Sequence, residues 1–326
     1  MIRRKLSILL CLAILGVGLL WVPVRAQQET GGSGLQISPT KTDISIVAGD
    51  QRDFTIAVKN VTQGDLTVKT FINDFESDNI TGNPRLLADT TKRTAYSLAE
   101  IIKGLNDFEL KAQESKEIKL TAIVPANASP GAYFSAVRFT AIPKNQASEA
   151  TQDGGQVALT ASLAHLVLIE IPGEINEQIQ LESLKFQSSG KGGSFFLSSP
   201  DKANLAIKNL GNGFSRPFGK VTISRFGKEV FAYDVNNTDP KAIVLPKSSR
   251  TLINDVKNIK SPGKYTAVAS VAYGNGAEVI NQEVSFWYVP AWLIALILAI
   301  ILAVVIGSYL MYRKRFGKRQ AKKNRR

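Results

Sequence analysis

The chain has 326 residues, with 40 Lys and Arg against 27 Asp and Glu, a formal net charge of +13, one His and one Cys. Thirteen of the basic residues fall in positions 1–26 and 313–326, so the stretch between them is neutral and the excess marks chain termini rather than a nucleic-acid surface. The one cysteine, Cys11, lies in an N-terminal apolar run, which leaves the rest of the chain without disulfides or thiolate metal chemistry and dependent on hydrophobic burial.

In chain order, Arg3, Arg4 and Lys5 precede an apolar stretch over residues 6–22, and Val24-Arg25-Ala26 places compact residues at the −3 and −1 positions of a cleavage site. This predicts a secretory signal peptide over 1–26, with an uncleaved first span as the rival reading. Residues 27–34, QQETGGSG, form a flexible lead-in. From Leu35 onward short β-branched or alternating runs (DISIV, FTIAV, LTV) are separated by Gly49, Gly64 and other turn residues, and period two returns over 109–124, 133–142 and 157–171. Ser97 and Glu100 fit a capping box before Ile101 and Ile102, with Gly104 as a stop, and predict one short helix.

An internal repeat divides the β-rich part of the chain. FTIAVKN (54–60) matches ANLAIKN (203–209), and SPGAYFSAVRF (129–139) matches SPGKYTAVASV (261–271). Two domains of one kind are expected, over 35–173 and 174–288. The first is the longer between its two matched segments, and the extra residues are placed in the 73–105 region. In each copy a Pro-Gly turn is followed two residues later by a tyrosine opening an apolar strand. In immunoglobulin-like sandwiches such a ring packs in the core while its hydroxyl bonds back to the loop, which assigns Tyr133 and Tyr265 a structural, corner-locking role. Residues 289–312 are free of charge, reach roughly 36 Å as a helix, carry Trp and Tyr at both ends, and run into the basic tail 313–326. The fold class is therefore all-β, two tandem immunoglobulin-like β-sandwiches with one C-terminal transmembrane helix. By the positive-inside rule the tail is cytoplasmic and the sandwiches face outward across the cell membrane.

These segments, AGDQRDFTIAVKNVTQGDLTVKTFINDF, VPANASPGAYFSAVRF, IKNLGNGFSRPFGKVTI and SPGKYTAVASVAYG, together resemble the WxL-interacting protein family of bacterial cell-surface proteins over about residues 35–315. The resemblance implies a signal peptide, two immunoglobulin-like domains, one membrane helix and a basic tail. It further implies peptidoglycan or another cell-wall polymer as partner of the first domain and other surface proteins as partners of the second. The first domain is also distantly similar to periplasmic pilus chaperones, which share the sandwich and lack the anchor. The motifs are strand and turn patterns, and they transfer no binding residue.

Chemistry-bearing residues are few. His165 is the chain's only histidine, sits in a predicted strand, and has no cysteine with which to pair once the expected signal peptide carrying Cys11 is removed. Asp74, Glu76 and Asp78 alternate like the start of a calcium loop, but Asn79 stands where Gly is needed and Arg85 where a bidentate Glu is needed. They remain the candidate ligand-binding residues, with the polar loop 143–155 beside them. LPKSS at 245–249 lacks the Thr of a sortase signal and lies far from the anchor. No catalytic residue, cofactor or metal is expected. The expected function is non-enzymatic binding or scaffolding at a cell surface, and the alternative is an assembly factor for exported proteins acting by strand addition.

Overall fold

Two β-sandwiches and a C-terminal helix make up residues 34–144 and 161–323, the part of the chain that the computed structural model describes. The predicted signal peptide and all but the first two residues of the 143–155 loop lie outside the described residues. Period two in the sequence becomes burial in the first sandwich. Strand β3 (Gln51–Asn60) buries Ile56 and Val58, and β9 (Ser115–Ile123) buries Ile118, Leu120 and Ala122, while the residues between them face out. With β1 (Leu35–Ser38) and the short β7 (Ile102–Lys103) they form a sheet ordered β1-β3-β9-β7.

The opposing sheet contains β2 (Lys41–Ser45), β4 (Leu66–Asn73), β8 (Phe108–Leu110), β10 (Gly131–Pro143) and β11 (Ala161–Ile171), in the order β2-β11-β10-β4-β8. The chain passes from one sheet to the other between β1 and β2 at Pro39, which has no N–H to leave unpaired, and β2 then lies parallel to β11. Val68, Leu110, Phe139 and Ile169 meet Ile56 and Leu120 across the interface, and burial of each such side chain is worth about 1.5–3 kcal/mol.

The second sandwich repeats this order except at the edges of one sheet. Strands β12 (Ile179–Ser188), β13 (Lys191–Gly193), β15 (Lys202–Asn209) and β18 (Ser249–Asp255) form the sheet β13-β12-β15-β18, where β13 is added beside the counterpart of β1 and the position of β7 is not filled by a described strand. Strands β14 (Phe195–Phe196), β16 (Phe218–Arg225), β17 (Lys228–Val235), β19 (Gly263–Tyr273) and β20 (Glu278–Tyr288) form the sheet β14-β20-β19-β16-β17, with β14 parallel to β20 as β2 is to β11. The repeat extends to single atoms. Asn60 Nδ2 donates to Gly64 O (2.7 Å) and Lys111 O (2.9 Å), and its Oδ1 accepts from Thr62 N (2.8 Å). Asn209 Nδ2 donates to Gly213 O (2.8 Å) and Val244 O (3.0 Å), and its Oδ1 accepts from Gly211 N (2.8 Å). Both amides are buried and satisfied on both ends, so each holds the same strand-end loop. Gly131 and Gly263 have φ of 143° and 145°, a region open to glycine, which is why both turns read Pro-Gly.

The short helix expected from Ser97 is absent. Ile101 N and Ile102 N both bond Leu98 O (3.0 Å each), closing a single turn, and Ile102 then pairs with Ala122 as strand β7. The Ser97 hydroxyl is committed to Asp74 (2.9 Å), and the ladder to β9 takes the residues a second helical turn would need. At the other end of the chain, helix α1 (Ala291–Lys323) contains an apolar stretch over Ala291–Arg313 that no other described residues cover. It is long and apolar enough to cross a membrane.

Candidate functional site: the seam between the sandwiches

The extra residues of the first domain are largely spent on holding the second. Strands β5 (Phe75–Ser77) and β6 (Pro84–Leu86) form a two-stranded ribbon whose turn lies along the edge of β18. Ile80 O accepts from Thr251 N (2.7 Å), Asn79 Oδ1 from Ser249 N (3.1 Å), and Ser77 Oγ donates to Ser249 O (3.3 Å). Beneath the ribbon Phe75, Ala132, Phe134, Ala136 and Leu168 pack against Phe214, Ile243 and Leu245 of the second sandwich. Phe134 is the hub, with ring centroids at 5.0 Å from Phe75, 5.1 Å from Tyr96 and 6.2 Å from Phe214. Polar contacts flank this apolar patch. Arg216 donates to both carboxylate oxygens of Asp43 (2.9 Å each), and Ala132 N donates to Asn212 O (2.9 Å).

Each candidate acidic residue has a place in this arrangement. Asp74 is fully buried. Its Oδ1 accepts from the hydroxyls of Ser97 (2.9 Å) and Ser135 (2.8 Å), and its Oδ2 accepts from Thr94 N (2.7 Å) and Thr94 Oγ1 (3.2 Å). It fastens the 94–98 segment to β10 and presents no surface to a ligand. Glu76 is exposed on the ribbon and pairs with Arg85 at 3.4 Å. Asp78 closes the ribbon turn. Its carboxylate accepts from the Thr81 hydroxyl and from the backbone N–H groups of Ile80 (3.0 Å), Thr81 (2.8 Å) and Gly82 (2.8 Å), and these donors lower its pKa to about 2.

His165 is buried in β11. Its Nδ1 lies 2.8 Å from Pro39 O, which only accepts, so Nδ1 carries the proton and Nε2 accepts from Thr42 Oγ1 at 2.9 Å. Burial lowers its pKa, opposed by the bond to Pro39, and the ring stacks on Phe54. It pins the β1–β2 crossover to the sheet with both ring nitrogens occupied. The Tyr133 hydroxyl donates to Ser129 O (3.0 Å) and that of Tyr265 to Ser261 O (2.6 Å), with the Tyr265 ring stacked on Phe286 in the second core.

Two hollows open on either side of the ribbon. The larger, about 250 Å³, is lined by Phe75, Leu166, Leu168, Ile243 and Leu245 together with Lys41, Lys241 and Arg250, and by no acidic side chain. Burial lowers the Arg250 pKa, and the guanidinium donates to Ile243 O (2.9 Å). The other hollow, about 210 Å³, lies over Tyr96, Phe134 and Lys247. An apolar wall with basic groups suits a ligand that carries an anionic group on an apolar frame. In the smaller hollow the Ser77 and Ser248 hydroxyls donate to Ser249 O (3.3 Å) and Leu245 O (2.9 Å), and among the described residues no group of three or more His, Cys, Asp or Glu side chains is placed to hold a metal ion. Sequence reading missed this seam because its partners lie some 170 positions apart, as Ser77 and Ser249 do (|i−j| = 172), and no local pattern links them.

No family model matches the chain, and no curated protein matches it. Solved structures similar to it include the YadV chaperone (13% identity, 78% of this chain and 100% of that one, TM-score 0.34) and the class 5 fimbriae chaperone CfaA (14%, 78% and 99%, 0.35). A Pseudomonas aeruginosa chaperone, CupB2, is also similar (9%, 76% and 98%, 0.34). These likenesses are too slight to bear on function.

Proposed function

We propose that this protein is a non-enzymatic, membrane-anchored surface protein whose two outward-facing sandwiches act as one binding and scaffolding body. Its partners are a cell-wall polymer such as peptidoglycan and other surface proteins. The observation that carries the reading is the pairing of an apolar seam, centred on Phe134, with a helix long and apolar enough to span a membrane, joined to β20 through Val289 and Pro290 alone. A body built this way moves as one unit and is held close above a membrane. Support for wall polymer and surface proteins as partners comes from the resemblance to WxL-interacting proteins.

Protease added to intact, wall-stripped cells is expected to remove the sandwiches and to spare an epitope placed after Arg326; protection of the sandwiches would overturn the orientation. Full-length protein in detergent, mixed with purified wall and separately with surface-protein extract, then reports the partners. Retention by neither would refute the binding role.

One observation favours a second reading, strand addition by an exported client. Beyond its ladder to β3, β9 is paired only through Ile102 and Lys103 of β7, so among the described residues the outer edge of Ser115–Leu120 belongs to no ladder. A photo-crosslinker at Glu117 would capture a client segment under this reading and nothing under the first.

A further inference from the structure

The end of the second sandwich nearest α1 carries a row of exposed aromatic residues that the fold does not use. Phe195 pairs with Trp287, and Trp287 is level with Lys264 across the β19–β20 ladder. Extending the β16–β19 register by two residues past Ser224↔Thr266 brings Phe226, at the tip of the β16–β17 hairpin, level with Lys264. Phe226 is 82% exposed, Phe195 55% and Trp287 49%, while their neighbours Phe196 and Phe286 are buried in the core. Lys228 and Lys264 are exposed among them.

Phe226 is the most telling of the three. It has φ of 51° and is followed by Gly227 at 76°, the two-residue turn with both central residues left-handed in which Asn-Gly is favoured. A bulky aromatic residue is disfavoured in that backbone region. Its ring lies 4.8 Å from the Arg225 guanidinium, which itself donates to Pro262 O, so the strained tip is held in place rather than folded back onto the core.

The short connection to α1 sets what this row faces. Trp287 N donates to Ser194 O (2.7 Å) and Val289 N to Phe196 O (2.8 Å), so sheet bonding continues to Val289, and Leu293 N already bonds Pro290 O (2.9 Å) as the helix begins. Three residues separate Trp287 from Ala291, and the four steps between them span at most about 13 Å of extended chain. The headgroup layer is itself roughly 5–7 Å deep on each side of the hydrocarbon. Aromatic rings with interspersed lysines are the side chains that favour such an interface, the rings at the level of the headgroups and the ammonium groups on lipid phosphates.

We propose that Phe195, Trp287 and Phe226, with Lys228 and Lys264, form a membrane-resting edge by which the second sandwich lies on the headgroup layer of the bilayer that α1 crosses. This rests on the reading of α1 as a membrane span. The edge fixes the tilt of the sandwich pair, which the tether alone leaves free to swivel about Pro290.

The test uses the full chain in lipid nanodiscs containing brominated phosphatidylcholine, with a single Trp at a time and Phe at the other native Trp positions. Trp292 reports the span, Phe226→Trp the proposed edge, and Phe218→Trp the opposite end of the same strand. Quenching at 292 and 226 with none at 218 is the expected result. Quenching at 292 with 226 as bright as 218 would overturn the edge and leave the span standing, whereas an unquenched 292 would refute the span and the edge together. A second variant, Phe226→Asn, separates lipid contact from a structural role. It is expected to raise the melting temperature in detergent, because Asn suits the turn, and to remove nanodisc protection of Lys228 from acylation. A lowered melting temperature with protection unchanged would show that the ring serves the hairpin and not the membrane.

Discussion

At the scale of single residues, the polar groups inside this protein separate into those with partners and those without. The Tyr265 hydroxyl is bonded to Ser261 O, whereas the Tyr233 hydroxyl is buried with no partner among the described residues and burial raises its pKa. Tyr265→Phe is expected to destabilise the second sandwich by about 1 kcal/mol, and Tyr233→Phe to be neutral or stabilising, as read from denaturant unfolding. Equal losses for both would contradict the assigned bonding. His165 makes a separate prediction. Its folded-state pKa lies below the ordinary value of 6.5, so the unfolded chain binds more protons in the window just below 6.5. Stability is therefore fully present above pH 6.5 and declines as pH falls through that value. Since the chain has no other histidine, His165→Gln should flatten the slope between pH 6.5 and 5.5. The tyrosines were legible in the sequence because the Pro-Gly turn two residues earlier fixes where the ring enters. Tyr233 carries no such marker, and its missing partner is a property of the packed state alone.

Among the elements, repetition made the strands legible and insertion concealed the rest. FTIAVKN and ANLAIKN were recognisable as counterparts because Asn60 and Asn209 hold equivalent loops through equivalent bonds. The 97–104 segment misled, since a capping box is a local signal and Ser97 answers instead to Asp74, more than 20 positions away (|i−j| = 23). The β5–β6 ribbon obeys the same logic, for its partner is the edge of β18. Gly82 has φ of 77°, and a Cβ there would sit 2.5 Å from Arg250 Cγ. Gly82→Val is therefore expected to lift the ribbon turn from β18 and speed hydrogen exchange at Thr251 N, leaving exchange in the centre of β10 unchanged. Unaltered protection at Thr251 would show that the turn does not depend on this close approach. The candidate acidic residues fit that picture, because Asp74 and Asp78 shape the segments that make the clamp.

For the whole molecule, the decisive quantity is the coupling between the sandwiches. Each has a core of its own, so each has the means to fold alone, and a chain of two such units joined only by 172–178 would melt in two steps. The seam changes that expectation. It buries Phe75, Phe134, Leu168, Phe214, Ile243 and Leu245, the ribbon adds backbone bonds, and Arg216 ties Asp43 across the same boundary. Charge and hydropathy alone revealed the anchor and the neutral body, because both are sums over composition. The seam was hidden, since Phe134 reads in sequence like any other apolar residue of an alternating strand. Phe134 is 3% exposed and stands at the centre of the aromatic cluster, so Phe134→Ala should remove about 3–5 kcal/mol from the packing there, a loss concentrated at the boundary and not in either core. The full chain in detergent is expected to melt in one cooperative transition, and the variant in two, the second sandwich keeping its own midpoint. Two transitions already present in the unaltered protein would mean that the seam is too weak to make the two domains act as one body.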